Sequence, residues 1–178
     1  MTNAGKESGF SIKYHFFEKD HVTEIAMLVN DDNILSFERK GKQLTTRWNL
    51  DDLTCWLRNF LDRMKDDPYP VDVAGAYAAI KDINAREFDS EDENEFDAYY
   101  NKLDEWNYKH RWHTASAGGI MADLYFQLVG NYVEISWNNQ DPEKGVAFKY
   151  ILGGIRIPKE VFVSEVNSFL EAYRNYWS

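Results

Sequence analysis

The densest group of reactive side chains in the chain is His110-Arg111-Trp112-His113. Two histidines three positions apart on a helix share a face and can ligate a metal, but a zinc site needs further ligands. Asp123, Glu134, His15 and His21 are the pool from which they would come. The sequence holds no His-Glu-x-x-His and no second cysteine or histidine motif at ligand spacing. The competing reading is a helix end, where cationic residues face the negative pole of the helix dipole. That reading is preferred, so no metal and no cofactor are expected. Gly118-Gly119, just beyond, could wrap an anion with backbone N–H groups. It leads from helix to strand, the reverse of a phosphate loop, and reads as a C-cap and connector. Cys55 lies beside an apolar helical stripe and reads as a small structural residue, not a nucleophile. There is no Gly-x-Ser-x-Gly elbow. No catalytic constellation emerges, and the sequence points away from an enzyme.

Two groups of residues suit binding instead. Residues 87–97 carry seven acidic side chains and no basic one. Glu87, Asp89, Glu91, Asp92, Glu93 and Glu95, with Phe88 and Phe96 as flanking anchors, form a docking surface for a basic patch, such as the nucleic-acid-binding cleft of a nuclease. The same run also suits a solvated loop and helix start, where Asp92, Glu93 and Glu95 complement the positive pole. The second group is Trp48, Arg111, His113, Trp137 and Asn138. Strand-end tryptophans often close a core; on one edge of a fold they would frame an aromatic pocket with amide groups to orient a planar ligand or a peptide.

That second group rests on a pattern that occurs twice. Leu35-x-Phe37-x-x-x-Gly41 precedes Trp48-Asn49, and Leu124-x-Phe126-x-x-x-Gly130 precedes Trp137-Asn138 at the same spacing. The matched positions are offset by half the chain. Each copy predicts a glycine-turned β-hairpin, and each is followed by a helical stripe. Internal duplication of a ββα unit over 35–65 and 124–177 is therefore expected, with pseudo-repeats 10–86 and 87–178.

The elements that must position these groups follow from periodicity. Alternation over Phe10–Phe16, Val22–Val29, Ile34–Arg39 and Leu44–Trp48 predicts a four-stranded antiparallel meander, turning at Asn30-Asp31-Asp32-Asn33 and at Gly41. Leu53, Trp56, Leu57, Phe60, Leu61 and Met64 form a helical stripe, capped by Asn49 or Asp51 and ended at Pro68. A shorter helix is expected over Val71–Ile83, and another from Glu95 to His110. Leu124–Val129 and Tyr132–Trp137 make the second hairpin. Val146–Ile157 reads as one strand kinked at Gly153-Gly154. A last helix starts at Pro158 with Phe162, Val166, Phe169, Leu170, Tyr173 and Trp177 on one face. The expected class is α+β, antiparallel sheets with helices on one face.

A chain of 178 residues fits a single domain, 1–178, with residues 1–9 expected to be disordered. The lone cysteine excludes an internal disulfide framework and suits a reducing cytoplasm. The net charge of −10 argues against a general nucleic-acid binder or an anionic membrane surface, and allows the basic protein partner suspected from the acidic run. No apolar run approaches the ~20 residues of a membrane span. The oligomeric state is left open.

Residues 111–137, from Arg111-Trp112-His113 through Glu134-Ile135-Ser136-Trp137, resemble a segment of bacterial proteins of defence and toxin-associated loci. Some of those carry a separate ImmA/IrrE-type zinc peptidase domain. The peptidase motif is missing here, so the resemblance carries over no catalytic residue. It implies a bacterial protein of that setting. The resulting expectation is a non-enzymatic, acidic protein-binding module, an immunity-type inhibitor or defence-associated accessory protein. The alternative is a small-molecule-binding protein or enzyme using the aromatic groove between the two hairpins.

Overall fold

The computed structural model describes residues 9–18, 21–112 and 120–177. The chain opens as an antiparallel hairpin. β1 (Phe10–Phe17) and β2 (Val22–Val29) pair along their full length, Phe10 opposite Val29 and Phe17 opposite Val22. Alternation sets the faces: Phe10, Ile12, Ile25 and Met27 are buried, while Lys13 and His15 face solvent. Asn30 and Asp31 both adopt left-handed backbone, φ 50° and 70°. Their short polar side chains tolerate this, and a two-residue hairpin turn needs it at both positions. The turn returns β3 (Asp32–Asn33) alongside β2.

The expected meander stops there. Ile34, Leu35, Ser36 and Phe37 are buried one after another, so this segment passes through the core and cannot lie on a half-exposed sheet. β4 (Phe37–Arg39) and β5 (Lys42–Leu44) form a short hairpin that pairs with residues 146–148, not with β2. β6 (Thr46–Trp48) goes back to β2, Thr46 opposite Ile25 and Trp48 opposite Thr23.

α1 (Asp51–Arg63) begins where Asn49 Oδ1 accepts the Asp51 N–H at 2.8 Å. It buries Leu53, Leu57 and Phe60 from the expected stripe, with Trp56, Leu61 and Met64 partly buried beside them. α2 (Ala78–Ala85) starts well after the expected Val71. Its first free N–H groups find their acceptors in the second half of the chain, Ala78 donating to Glu134 Oε1 at 2.8 Å and Ala79 to Ser136 Oγ at 3.1 Å. A helix N-terminus needs such acceptors, and the sequence around residue 78 does not supply them. α3 (Glu93–His110) starts as soon as Asp92 can cap it and runs into β7 (Arg111–Trp112).

β8 (Leu124–Val129) and β9 (Tyr132–Asn138) form the second hairpin. The single strand expected over 146–157 is two: β10 (Val146–Phe148) on β4, and β11 (Leu152–Pro158) on β9. Gly153 and Gly154 do not kink β11, which stays in register opposite Trp137 and Ser136. They are needed for close approach: a Cβ on Gly154 would lie 2.6 Å from Tyr77 Cγ and 2.9 Å from Ser136 Cβ. α4 (Lys159–Trp177) closes the chain.

The class is α+β with antiparallel sheets, as expected. The helices, expected on one face, cover both faces of the central sheet, whose order is β11-β9-β8-β7. Leu124, Phe126, Val133, Ile135 and Ile157 point into the larger core with Leu57 and Phe60 of α1, Phe162 and Phe169 of α4, and Ile25 of β2. Tyr125, on the opposite face, packs with Ala78 and Ala79 of α2 and Leu103 and Trp106 of α3. A sheet buried on both faces has no polar side to spare, so β8 lacks the apolar–polar alternation of a one-faced strand. No helix among the described residues is long and apolar enough to cross a membrane.

The duplicated ββα unit is not what the two hairpins show. In β4–β5 the turn is Lys40-Gly41, both left-handed (φ 53° and 72°), between paired Arg39 and Lys42. In β8–β9 it is Gly130-Asn131, between paired Val129 and Tyr132. The matched glycines thus stand at different turn positions, and the ribbons are out of step by one residue. Such a slip exchanges the faces of a strand. Trp137 pairs with Leu124 inside its own hairpin and is 8% exposed, whereas Trp48 pairs with β2 and is 38% exposed.

Gly154→Ala is expected to lower the unfolding free energy by about 1–3 kcal/mol, the usual penalty for overpacking. A reduced urea midpoint at unchanged slope would show it.

Candidate functional site

α3 presents two chemically opposite faces. Its inner face buries Leu103, Trp106, Asn107 and His110. Glu93, Asp97, Asp104 and Tyr108 recur at helical spacing on the outer face and are all exposed, Tyr108 at 79%. Asp92 Oδ1 caps the helix, accepting from Asn94 N–H at 2.9 Å and Glu95 N–H at 3.3 Å. The loop before it continues the acidic surface. Every carboxylate of 87–97 is exposed: Glu87, Asp89, Glu91, Asp92, Glu93, Glu95 and Asp97. Phe88 stacks on Tyr99 with centroids 3.9 Å apart, and Phe96 leans on Tyr100 at 4.6 Å. Tyr100 Oη donates to the carbonyls of Phe88 (3.1 Å) and Arg86 (3.2 Å), pinning the loop to the helix. The two phenylalanines therefore serve as props beneath the acids, with Phe96 still 37% exposed.

Beneath this surface lies a carboxylate that sequence reasoning passed over. Asp82 is 2% exposed and is the hub of a polar network. Tyr69 Oη (3.2 Å) and Asn107 Nδ2 (3.0 Å) donate to its Oδ1; Tyr125 Oη (3.0 Å) and Arg86 Nε (3.0 Å) donate to its Oδ2. Arg111 Nη1 stands 4.0 Å from Oδ2. Loss of hydration alone would raise its pKa. The hydrogen bonds from Asn107, Arg86 and Tyr125 and the Arg86 charge outweigh that and hold it below the ordinary carboxylate range. Burial, with the adjacent acid, raises the pKa of Tyr69 and Tyr125, so both remain phenol donors. A signal for Asp82 was present: Ala78, Ala79, Asp82 and Ala85 form one helical stripe, and an acid in an apolar stripe must find partners.

The His110-Arg111-Trp112-His113 cluster divides. His113 and Gly118-Gly119 lie outside the described residues. His110 is buried with both ring nitrogens engaged, Nδ1 donating to the Phe126 carbonyl at 2.9 Å and Nε2 3.3 Å from Asp67 Oδ2. Arg111 forks onto Asp123, Nε to Oδ1 at 2.9 Å and Nη2 to Oδ2 at 2.6 Å. Burial would lower its pKa, but the Asp123 bonds and charge raise it, so the guanidinium stays charged. Glu134 is taken up by the start of α2 and by Arg156 Nη2 at 3.2 Å. Among the described residues no three of His, Cys, Asp and Glu gather as a metal site would require.

Two cavities flank α3 on its α1 side and share Trp56 and Tyr108. One, of about 560 Å³, is lined by Phe60, His110, Arg63, Lys65 and Lys109 among others. The other, of about 380 Å³, is walled by Trp112, Arg86, Asn107 and Arg111. Of the four pocket candidates among the described residues, Trp48, Arg111, Trp137 and Asn138, Arg111 alone lines either cavity. Trp48 stands exposed on β6 and Trp137 packs against Tyr150 at 5.9 Å. Asn138 ends β9, where its Oδ1 accepts the Gln140 N–H at 3.3 Å. Trp56 and Tyr108 could have been found only as an aromatic pair on two helices whose packing the sequence does not state. Cys55 is exposed, with Asn59 Nδ2 at 3.8 Å from its Sγ. No protein-family model, curated protein or solved structure matches the chain.

Asp82→Ala, which strands four donors, is expected to cost about 3–5 kcal/mol at neutral pH. The sign of the pH effect follows from the depressed pKa. The carboxylate stabilises the fold fully above its unfolded value of about 3.9, and the contribution is lost as pH falls through the lower folded value. Urea midpoints measured from neutral to acid pH should show the variant with a shallower acid decline than the parent.

Proposed function

We propose that this chain is a non-enzymatic binding module that docks a basic protein partner on the acidic loop and outer face of α3, and that it serves as an immunity-type inhibitor or defence-associated accessory protein. The observation that carries this is the state of the seven carboxylates at 87–97: all are exposed, and no ion pair among the described residues involves any of them. Like charges left together raise the energy of the free protein, and a cationic partner relieves that repulsion. The support beneath them favours binding without rearrangement, because Phe88, Phe96, Tyr99 and Tyr100 hold the loop on a capped helix whose inner face is fixed by Asp82. A preformed surface of this kind saves the entropy that an ordering loop would lose on binding.

The mechanism is occlusion. The carboxylates steer a basic cleft toward the module, and Phe96, near the end of the run and 37% exposed, supplies apolar contact area. Rim charges act mainly on association, and anchors mainly on dissociation.

The test is kinetic. A partner captured on the immobilised protein at low salt is measured against the parent and two variants. The triple change Glu91→Gln, Glu93→Gln, Glu95→Gln is expected to slow association by about tenfold or more, with dissociation little altered. Phe96→Ala is expected to speed dissociation. Salt-insensitive association, or full-speed binding by the triple variant, would count against the reading.

A further inference from the structure

The central sheet has an open edge along β11. Hydrogen-bonded pairs alternate along an antiparallel ladder, and two bonds flanking β11 set the phase. Asn139 N–H donates to the Ile151 carbonyl at 2.6 Å, and Lys159 N–H to the Asn131 carbonyl at 2.9 Å. Gly153, Ile155 and Ile157 therefore bond to Trp137, Ile135 and Val133 of β9. Leu152, Gly154 and Arg156 turn their N–H and C=O groups away from it. Among the described residues, β11 pairs with no other strand and no other backbone group takes up this edge. β1 also ends a sheet, but α4 shields it: Glu165 Oε2 accepts the outward Ile12 N–H at 3.2 Å, and Phe162 and Tyr176 stack on Phe10 and Phe16.

Open edges are templates for pairing, and soluble proteins guard them with charges, prolines, bulges or a covering element. β11 has little of this. Ile151-Leu152-Gly153-Gly154-Ile155 carries no charge, and Ile151 and Leu152 are 56% and 39% exposed. The two glycines leave the edge without side chains at its middle. Arg156 is the one charge of the strand, and Glu134 on β9 draws it in at 3.2 Å. Pro158 guards only the far end.

We propose that β11 pairs antiparallel with β11 of a second copy of this chain, about a two-fold axis at Gly154, to make one continuous sheet. The strand is complementary to itself in this register, as an isologous interface requires. Leu152 stands opposite Arg156 of the second copy, and Gly154 opposite its own counterpart. All three outward N–H groups of each copy then meet carbonyls. Gly153, with no side chain, faces Ile155 of the second copy, and Leu152 lies along the aliphatic stem of Arg156. No like charges are brought opposite one another, because the charge of Arg156 is already answered by Glu134. The net charge of −10 on each copy acts only at long range, so salt strengthens this association by screening it. α3 packs over β7 and β8, at the other side of the sheet from β11, so the acidic surface of each copy stays free.

The experiment is sedimentation of the full chain, joined to amide exchange by nuclear magnetic resonance, between about 50 μM and 1 mM, where small interfaces associate. The mass is expected to rise from 20.9 kDa to twice that value, more readily at high salt. The amides of Leu152, Gly154 and Arg156 are expected to exchange more slowly as concentration rises, while those of Gly153 and Ile155, already bonded to β9, do not change. Leu152→Pro deletes an outward N–H at the first position of the strand, where proline is tolerated. Leu152→Lys adds the missing guard and keeps the backbone intact. Each is expected to weaken association by about tenfold or more, because each breaks the symmetric pair twice. A monomer at the highest concentration overturns the proposal and leaves the edge to a strand of another protein. A dimer that salt weakens also overturns it, since that is the mark of acidic and basic patches meeting. So does a dimer that Leu152→Lys leaves at parent strength, or one in which the three amides exchange as in the monomer. None of these outcomes touches the acidic loop, whose partner reading stands or falls on association kinetics.

Discussion

A single carboxylate sets the geometry on the far side of the central sheet. Asp82 sits on α2, and its donors come from the segment after α1 (Tyr69), the end of α2 (Arg86), α3 (Asn107) and β8 (Tyr125). A buried charge that is incompletely solvated by the protein is very costly, so the folded state must bring all of these donors to one point. That requirement holds α3 against the sheet at a defined rotation. The rotation turns Glu93, Asp97, Asp104 and Tyr108 outward and keeps Asn107 inward against the hub. Hydrophobic burial supplies most of the stability on this side, through Leu103, Trp106 and Tyr125, but it is indifferent to small rotations of a helix. The hub is what discriminates between them.

The acids of the chain are sorted by the same physics. Those taken out of water are answered in full: Asp82 by its donors, Glu134 by the N-terminus of α2 and by Arg156. Those left in water, from Glu87 to Asp97, are answered by solvent and, at Asp92 and Glu95, by local hydrogen bonds. The boundary between the two sets is the aromatic layer of Phe88, Tyr99, Phe96 and Tyr100. The protein thereby carries a rigid interior and a charged exterior a short distance apart, an arrangement suited to presenting charge without rearrangement.

Legibility in the sequence follows from the range of the interactions involved. The strands at 10–17 and 22–29, the stripes of α1 and α4 and the hairpin at 124–138 were visible because each is a local period meeting one large core. The acidic surface was visible because exposure is the default state of a charge run. The meander failed at Ile34–Phe37, where four consecutive buried residues reflect a strand exchange with 146–148 that no local period records. The start of α2 was missed because its capping groups, Glu134 and Ser136, lie on a strand in the other half. The apparent repeat misled because spacing alone does not fix a turn. Gly41 and Gly130 match in sequence, yet one is the second and the other the first residue of its turn, and Trp48 leaves its hairpin to pair with β2 whereas Trp137 stays in its own, opposite Leu124.

The amino-acid sequence by itself determined the α+β class, most of the elements, the capping of α3 by Asp92 and the acidic face, since these follow from periodicity, local hydrogen bonding and charge. Only the tertiary structure decided which helices cover which face of the sheet, that Asp82 gathers donors from four segments, and that Trp56, Tyr108 and Asn107 meet beside Arg86. The reason is that such meetings join residues tens of positions apart, and their energy depends on distances that exist only once the chain has folded.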